Sequence, residues 1–400
     1  MSVITGAGVV AATGTGVGSF WEKVSTGISC VADHSSKIGE LEVQSKACAA
    51  SAFNPDDHFD HRQQRLLDRV SQMAVVAARE AVSSAGLRVA DEDPSRIAVV
   101  IGTAVGGELS METAVQAIYV TGSRVSPMTI PRVMASAASS AISIDLGITG
   151  PTLTTSTACA SSAHAIAIAD SMVRSGLVDV AIAGGTESLP SVGLWKTWQG
   201  LGVLTTDTIR PFSLERSGFV FGEGAGIVVL ESDAHARRRG LEPRFVLAGV
   251  GMSSDARDMV NPDSRGMAAA MSSALSAANL GPGDISYVNA HGTGTAANDR
   301  TESQALHDVF GSNIRNMVVS STKSVHGHAM GASSALELVA TVRAMEESVA
   351  PPTANFLTPD PDCEIDCATN VARPMEIQAA LSNSFAFGGL NVSLVLRKNA

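Results

Sequence analysis

The sequence predicts an α/β protein made of two similar strand–helix halves, stacked in five layers that share a central layer of helices. Short apolar runs such as IAVVIG (97–102) and VDVAIAGG (178–185) alternate with alanine-rich segments of helical periodicity. That alternation is typical of strands that helices cover on both faces. An internal repeat, together with the order in which its units recur, indicates the duplication.

The repeat is clearest at the end of each half. FVFGEGAGIVVL, which begins at Phe219, aligns without gaps on FAFGGLNVSLVL, which begins at Phe385, an offset of 166 residues (385 − 219). TSTAC from Thr155 lies over SSTKS from Ser320, an offset of 165 residues (320 − 155). A looser pair matches EAVSSAGL and RIAVVIGT with SALSAANL and DISYVNAHGT. We therefore predict an N-terminal half over 1–235 and a C-terminal half over 236–400.

The composition describes a globular protein and excludes several classes of function. The 400 residues are 45% hydrophobic and 17% charged, with a net charge of −11. Such a protein lacks the basic surface that a nucleic-acid partner requires. The first residues show no signal-peptide pattern, and no uncharged apolar run reaches about 18 residues, the length of a membrane span. We expect a cytoplasmic enzyme with no membrane span. Its five cysteines are irregularly spaced, which indicates neither a disulfide framework nor a zinc site.

The first element is a predicted strand, VITGAGVVA, followed by a glycine-rich turn. Gly6, Gly8 and Gly14 suggest a dinucleotide-binding turn, but Gly8 is followed by Val, Val and Ala, so the GxGxxG spacing is not met. The sequence also lacks the GxxxxGK[ST] pattern of a phosphate-binding loop. A nicotinamide-dependent oxidoreductase stays an alternative at this point.

The stretch TLTTSTACASSAHAIAIA places Cys159 where a β-branched strand pattern turns into a helix pattern. The unpaired N–H groups of a helix N-terminus favour a thiolate, so we expect the pKa of Cys159 to be lowered. Its small neighbours leave room for a substrate. The alternative interpretation is a buried structural cysteine that packs as a small hydrophobic residue.

Two later stretches carry histidines and a lysine at predicted loop positions. His291 follows a strand in YVNAHGTGTAANDRTE, and Lys323, His326 and His328 follow another in SSTKSVHGHAMGASSALE. If the halves superpose, the loops of Cys159 and Lys323 are equivalent and can face one pocket. Neutral histidines there can donate N–H groups to a developing oxyanion or shuttle protons. We predict no metal site, since histidines at i and i+2 are a weak sign of zinc, and we interpret His326 as a neutral loop residue.

Taken together, five residues in their motifs resemble the β-ketoacyl-acyl-carrier-protein synthases. They are Cys159 in TACASS, His291 in NAHGTGT, Lys323 and His328 in KSVHGH, and Phe387 in NSFAFGG. The resemblance covers nearly the whole chain and is strongest for the synthase II branch. The stretches PPTANFLTPDPDCEID and AHGTGTAAND are especially similar to nodulation protein E and to synthases of type II polyketide pathways. This family has the duplicated thiolase fold, five-layered αβαβα, and works as a dimer.

The resemblance implies a decarboxylative Claisen condensation. Cys159 would accept an acyl chain from acyl carrier protein, and malonyl carrier protein would lose CO2 and attack the resulting thioester. His291 and His328 would donate hydrogen bonds to the thioester oxygen as enolate character develops. The backbone N–H groups of Cys159 and Phe387 would form the oxyanion hole.

The resemblance also assigns supporting residues. Lys323 would pair with a carboxylate, matched by Glu302, and hold the histidine loop. Thr293 and Thr295 would bind a phosphopantetheine arm, and Phe387 would gate the passage between the acyl and malonyl sites. No cofactor of the enzyme's own is implied, because phosphopantetheine enters with the acyl carrier protein.

The expected partners are the carrier protein and a second subunit. Arg62, Arg65 and Arg69 in HRQQRLLDR lie at helical spacing and, with Arg210, could steer an acidic carrier protein, although a solvated helix face explains the cluster equally well. The second subunit would be another copy of the chain or a chain-length-factor-like paralogue.

The sequence departs from the family pattern at three positions. Ala386 stands between the two phenylalanines in place of glycine, Leu390 replaces a threonine, and Ser217 replaces an aspartate. We expect Ala386 to stiffen the gate, since alanine restricts the backbone more than glycine does. The alternative functions are a largely non-catalytic partner subunit that sets chain length, a thiolase and a cysteine hydrolase. The pathway, fatty acid or polyketide, and the accepted chain length stay open.

Overall fold

A computed structural model describes residues 1–399 of the protein. Its strands, in chain order, are β1 (Ser2–Ala11), β2 (Gly14–Thr15), β3 (Ala32–Ile38), β4 (Leu41–Cys48), β5 (Ile97–Gly102), β6 (Thr152–Thr155), β7 (Val180–Glu187), β8 (Phe221–Gly222), β9 (Gly224–Ser232), β10 (Phe245–Ser254), β11 (Tyr287–Asn289), β12 (Val318–Ser320), β13 (Val349–Ala350), β14 (Arg373–Pro374), β15 (Ala379–Ala386) and β16 (Leu390–Lys398).

The α-helices, in the same order, are α1 (Val17–Thr26), α2 (His61–Leu66), α3 (Arg69–Ser84), α4 (Glu108–Gln116), α5 (Thr129–Val133), α6 (Ala137–Leu146), α7 (Ser161–Arg174), α8 (Val192–Gly200), α9 (Asp233–Arg238), α10 (Ser264–Ala278), α11 (Ala296–Phe310), α12 (Lys323–His326) and α13 (Ser333–Glu347). Over residues 1–399, none of these helices combines the length and the apolar character needed to cross a bilayer.

The main sheet is symmetric about its centre. Its order is β12-β11-β15-β16-β10-β1-β9-β7-β5-β6, so each half contributes five strands in the same sequence outward from the middle. The halves join where β1 and β10 pair antiparallel, with Val3 opposite Val246 at the centre of the matched residues. The predicted duplication is confirmed. The predicted boundary between residues 235 and 236 lies within α9, the link between the halves, and stays a prediction.

Glycines on the central strands let the outer helices approach closely, and they do so identically in both halves. A Cβ added to Gly8 on β1 would lie 2.0 Å from the carbonyl oxygen of Ala77 on α3. A Cβ added to Gly251 on β10 would lie 2.0 Å from the carbonyl oxygen of Ala270 on α10. The glycines that suggested a dinucleotide-binding turn therefore serve helix–strand packing.

The central layer consists of α7 and α13, which lie between the two half-sheets. α7 packs against β5, β7 and β16, and α13 packs against β9 and β15. Ser162 Oγ accepts a hydrogen bond from the Ala335 N–H at 3.0 Å, and Ser334 Oγ donates to the Cys159 carbonyl at 3.1 Å. With α3 and α6 on one outer face and α10 and α11 on the other, the layers number five.

The halves differ by an insertion next to the central helices. CASSA from Cys159 matches GASSA from Gly331, an offset of 172 residues (331 − 159), whereas the preceding strand ends differ by 165 (320 − 155). The second half therefore carries seven additional residues (172 − 165) between β12 and α13. The predicted equivalence of the two loops is right at their strand ends and wrong at their helix starts, because Gly331 occupies the position of Cys159.

Candidate active site

Cys159 lies in a tight turn between β6 and α7. The turn Ala158–Ala160 is 3₁₀-helical, and Ala158 has φ +50°, a left-handed conformation that is strained for a non-glycine residue. Its counterpart Met330 has φ +42°. Cys159 is 7% exposed and lines a cavity shared with His291 and His328, so it is more than a structural cysteine.

The second half cannot place a nucleophile at the equivalent turn. A Cβ at Gly331 would lie 2.5 Å from the Ala104 nitrogen and 2.6 Å from Glu187 Oε2. The Glu187 carboxylate is anchored there by the Gly331 N–H at 3.1 Å. One turn therefore carries the thiol, and the inserted segment of the other half carries side chains that face it.

Cys159, His291 and His328 converge on one point. His328 Nε2 lies 3.1 Å from Cys159 Sγ, and one ligating atom of each of the three residues lies within 4.8 Å of the others. The two histidine rings meet edge to face with centroids 5.6 Å apart. This spacing would also suit a zinc ion, so the prediction of a metal-free site stays a prediction.

Glu302 holds the backbone of the His291 loop. Its carboxylate accepts hydrogen bonds from the N–H groups of His291 and Gly292, both at 2.8 Å, and the side chain is fully buried. Gly292 has φ +39°, so the loop turns sharply after the histidine. The prediction that Glu302 is the carboxylate paired with Lys323 is wrong, and its burial behind the loop also leaves it no surface for substrate.

The carboxylate that pairs with Lys323 belongs to Glu337 on α13. Both side chains are completely buried. Lys323 Nζ also donates to the His291 carbonyl at 2.7 Å and lies 3.3 Å from His291 Nδ1. Because an ammonium group only donates, Nδ1 of His291 is the acceptor and its proton resides on Nε2. Glu337 escaped the sequence analysis, although an acidic residue inside the apolar stretch ASSALELVA was an available signal.

Burial controls the protonation of the site. It lowers the pKa of His291 well below the ordinary value, and the nearby Lys323 ammonium acts in the same direction. The pKa of His328 is lowered well below its ordinary value for the same two reasons, so both imidazoles are neutral at pH 7.

Burial also raises the pKa of Cys159 to about 12, against an opposing effect from Lys323. The expected lowering of this pKa is therefore wrong for the resting enzyme, because desolvation of a thiolate outweighs the helix N-terminus. The site at rest holds a thiol beside two neutral histidines.

The cavity above Cys159 is lined by the predicted threonines. Thr293 Oγ1 and Thr295 Oγ1 lie 2.9 Å apart, and both residues face the cavity. Thr295 also caps the N-terminus of α11, which fixes its position. The structure thus brings these hydroxyls to the approach to Cys159, as the family resemblance implies for a pantetheine arm.

Phe387 begins a three-residue turn between β15 and β16. Gly388 and Gly389 have φ +82° and +66°, so the turn requires glycine at both positions. The Phe387 ring stacks on Trp198 of α8, with centroids 5.8 Å apart and planes 15° from parallel. Trp198 also escaped the sequence analysis, since nothing in its local motif marks it.

The three departures from the family pattern lie around this turn and beyond it. Ala386 ends β15 opposite Leu390, which begins β16, and an extended strand suits alanine. The expected stiffening by Ala386 is wrong in its physical reason, because the left-handed backbone of the turn resides at the two glycines. Ser217 Oγ lies 2.8 Å from Thr205 Oγ1.

The predicted arginine cluster is smaller than expected. Arg62 and Arg65 are exposed on the short helix α2, but the helix ends at Leu66. Arg69 starts α3 and forms an ion pair with Glu223 at 2.7 Å. The helical spacing therefore does not hold across all three.

Arg210 is also unavailable as a free cation. Its guanidinium pairs with Asp207 at 2.8 Å, and its side chain is 16% exposed. The exposed basic surface near α2 is thus reduced to Arg62 and Arg65.

Comparison with known proteins connects this geometry to a family. The N-terminal domain profile of the β-ketoacyl synthases matches residues 3–236, and their C-terminal domain profile matches residues 244–357. Nodulation protein E of Rhizobium sp. (strain N33) is 42% identical over 99% of this chain and 98% of its own length. The 3-oxoacyl-[acyl-carrier-protein] synthase 2 of Staphylococcus aureus (strain N315) is 38% identical over the same shares.

Solved structures agree. The ishigamide ketosynthase/chain length factor superposes with a TM-score of 0.93 at 33% identity, over 100% of this chain and 99% of the other. The five-layered, duplicated thiolase fold and the family resemblance are confirmed. This chain belongs to the β-ketoacyl synthase family of acyl-transferring condensing enzymes.

Proposed function

We propose that this protein condenses malonyl-acyl carrier protein with an acyl chain held on Cys159, in fatty acid or type II polyketide biosynthesis. The observation that carries the proposal is the convergence of a buried thiol with two neutral imidazoles at the base of a cavity. Neutral histidines can donate hydrogen bonds to an oxyanion without first losing or gaining a proton.

The reaction has two parts. In the first, Cys159 Sγ bonds the acyl carbon and the pantetheine thiol leaves. In the second, the malonyl C–C bond to the carboxylate breaks, CO2 departs, and the electron pair forms an enolate. The enolate carbon then bonds the acyl carbon, and the Cys159–acyl bond breaks to release a β-ketoacyl carrier protein.

Each polar group has a role in that sequence. His291 donates its Nε2–H to the malonyl thioester oxygen, because Lys323 fixes that tautomer, and His328 supports the same charge. Thr293 and Thr295 bind the pantetheine arm. The backbone N–H groups of Cys159 and Phe387 stabilise the tetrahedral oxyanion, each contributing about 10²–10³ in rate.

The site needs no resident cofactor in this account, since phosphopantetheine arrives on the carrier protein. The exposed pair Arg62 and Arg65 is the proposed contact for that acidic partner. We place the enzyme in the cytoplasm.

We propose that the protein dimerises along β6. The opposite edge strand, β12, is covered: the Val319 N–H donates to the Asp366 carbonyl, and the Ala368 N–H donates to the Val319 carbonyl, both at 2.9 Å. β6 has a neighbour on one side only, so its outer backbone groups are open.

The surface beside β6 is apolar. α4 packs on α5, α5 on α6 and α6 on β6, which makes the surface continuous. Its exposed apolar residues are Ile118, Tyr119, Val120, Ile130, Ile144 and Leu153. The partner is a second copy or a chain-length-factor-like paralogue, as in the ishigamide pair. The intact nucleophile and histidines favour the catalytic role for this chain over the chain-length role.

The test is a condensation assay. The enzyme is supplied with acyl carrier protein bearing a short acyl chain and with malonyl carrier protein labelled in its free carboxylate. Labelled CO2 and a β-ketoacyl carrier protein are expected in equal amounts. His291→Ala should still accept the acyl chain but release CO2 about 10²–10³ times more slowly. Release of free fatty acid instead of the β-keto product would indicate a hydrolase.

A further inference from the structure

Ser333 contacts His328 on the side away from the nucleophile. Its Oγ lies 2.9 Å from His328 Nδ1, and Nε2 of the same ring lies 3.1 Å from Cys159 Sγ. Cys159, His328 and Ser333 are 7%, 1% and 0% exposed, so water does not compete for these contacts. The three side chains form one buried hydrogen-bonded chain.

The Ser333 hydroxyl serves no other purpose in the fold. Over residues 1–399, its only hydrogen-bond partner is His328 Nδ1. The equivalent serine of the first half, Ser161, instead closes its own turn, accepting from the Thr157 N–H at 2.9 Å and donating to the Ala158 carbonyl at 2.6 Å. In the second half the seven-residue insertion brings His328 to the hydroxyl.

The two histidines are therefore supported in different ways. Lys323 donates to Nδ1 of His291, so that ring keeps its proton on Nε2 and can only donate towards the cavity. A serine hydroxyl can either donate or accept, so Nδ1 of His328 can carry a proton while Nε2 accepts one from the thiol. Of the two rings, only His328 can serve as a base for Cys159.

Charged and titratable groups surround this pair on several elements. Those nearest His328 are Cys159, His291, Lys323 and His326. Those that act on the Cys159 thiol are Lys323, Glu187 and Glu337. Lys323 opposes protonation of His328 and favours the thiolate, so an added acceptor at Nδ1 helps the ring to hold the proton during acyl transfer.

We propose that Ser333 is a positioning residue for acyl loading, which accepts a hydrogen bond from Nδ1–H of His328 while His328 Nε2 takes the proton of the Cys159 thiol. The Sγ–H bond breaks as Sγ bonds the acyl carbon of the carrier thioester. The departing pantetheine sulfur leaves with its electron pair and receives the proton from Nε2. The step restores neutral His328, and it rests on the proposed function.

The variants are Ser333→Ala, Ser333→Thr and Ser324→Ala, and the readout is the rate of acyl loading on Cys159, by intact mass, between pH 6 and 9. Ser333→Ala should load about 10–100 times more slowly, the effect of one hydrogen bond to a charged group, and its rate should rise at higher pH than in the wild type. Ser333→Thr should restore the wild-type profile.

The control separates chemistry from folding. Ser324 is a buried serine of the same segment, whose hydroxyl donates to the Ser321 carbonyl at 2.7 Å and accepts from the Ala354 N–H. Ser324→Ala should lose stability without shifting the pH profile. A loading profile of Ser333→Ala identical to that of the wild type would overturn the proposal.

A second measurement does not depend on any Ser333 variant. In the wild type labelled with ¹⁵N-histidine, Nδ1 of His328 should carry the proton in the resting enzyme, and a spectrum with the proton on Nε2 would overturn the proposal. A wild type that never loads an acyl chain would instead contradict the proposed function. The two failures are therefore distinguishable.

Discussion

At the scale of single residues, Lys323 and Glu337 are the most demanding pair in the site. Both are fully buried, and removal of one leaves an uncompensated charge. Lys323→Met should lower the free energy of unfolding by about 3–5 kcal/mol, whereas Lys323→Met combined with Glu337→Leu should regain most of it. Urea unfolding of the single and double variants measures both values.

Activity should not follow stability in this cycle. The double variant lacks the donor to Nδ1 of His291, so CO2 release should stay far below that of the wild type even where folding is restored. The exposed pair Arg343 and Glu347 gives the control, since its removal should cost at most about 1 kcal/mol. A Lys323→Met protein as stable as the wild type would contradict this account of the pair.

Trp198 governs the position of Phe387. The stacked rings hold the phenylalanine over the cavity, and an aromatic pair of this kind contributes about 0.5–1.5 kcal/mol. Trp198→Ala should free Phe387 and raise the loading of bulkier acyl chains about two- to tenfold relative to the shortest chain. Intact-mass analysis after competition between acyl carrier proteins measures this ratio.

Lys196, exposed on the same helix, gives the matched control. Lys196→Ala should leave the acyl-chain preference unchanged. An unchanged preference in Trp198→Ala as well would show that Phe387 does not depend on this ring.

Sequence and structure agree on the reacting residues and differ on their supports. Cys159, His291 and His328 carry distinctive local motifs, so their convergence was predictable. The choice between Glu302 and Glu337 as the partner of Lys323 was not, because each is an acid near a conspicuous motif. Which one reaches the lysine depends on how α11 and α13 pack, and that is a long-range property.

At the scale of elements, two helices depend on glycine in the strands beneath them. Gly251→Ala should force α10 away from β10, because the new Cβ would lie 2.0 Å from a backbone carbonyl that cannot move alone. The expected loss of stability is about 1–3 kcal/mol or more. Thermal and urea unfolding measure it.

Gly18 in α1 gives the control, because a Cβ there meets no atom within 4 Å. Gly18→Ala should be neutral or stabilise the protein by up to about 1 kcal/mol. Equal effects at the two positions would contradict the packing explanation.

The internal repeat predicted the strands and the two outer helices well, because glycine and alanine patterns recur in both halves. It did not reveal the seven-residue insertion before α13. A gapless match at the strand end hides a change of register that only the helix start exposes. The break between α2 and α3 was missed for a similar reason, since Asp68 reads as helical in spacing but caps α3.

At the scale of the whole molecule, the open edge at β6 decides the oligomeric state. A charge placed there faces its own copy across a twofold interface, and like charges at a buried strand edge disfavour pairing. Leu153→Asp should convert the dimer into a monomer, as measured by light scattering after size-exclusion chromatography.

Leu41→Asp serves as the control, since Leu41 lies at the tip of the β3–β4 hairpin and is more exposed than Leu153, 59% against 44%. It should leave the dimer intact. A wild type that is monomeric alone but dimeric with a paralogue would favour the heterodimer, and a Leu153→Asp protein that still dimerises would contradict the proposed interface.

The whole account depends on Cys159 as the residue that carries the acyl chain. The most direct measurement is the intact mass of the wild type and of Cys159→Ala after incubation with acyl carrier proteins of several chain lengths, followed by malonyl carrier protein. The account predicts one acyl adduct on the wild type, none on Cys159→Ala, and disappearance of the adduct as a β-ketoacyl carrier protein forms. An adduct of equal yield on Cys159→Ala, or a wild-type adduct that malonyl carrier protein leaves unchanged, would contradict it.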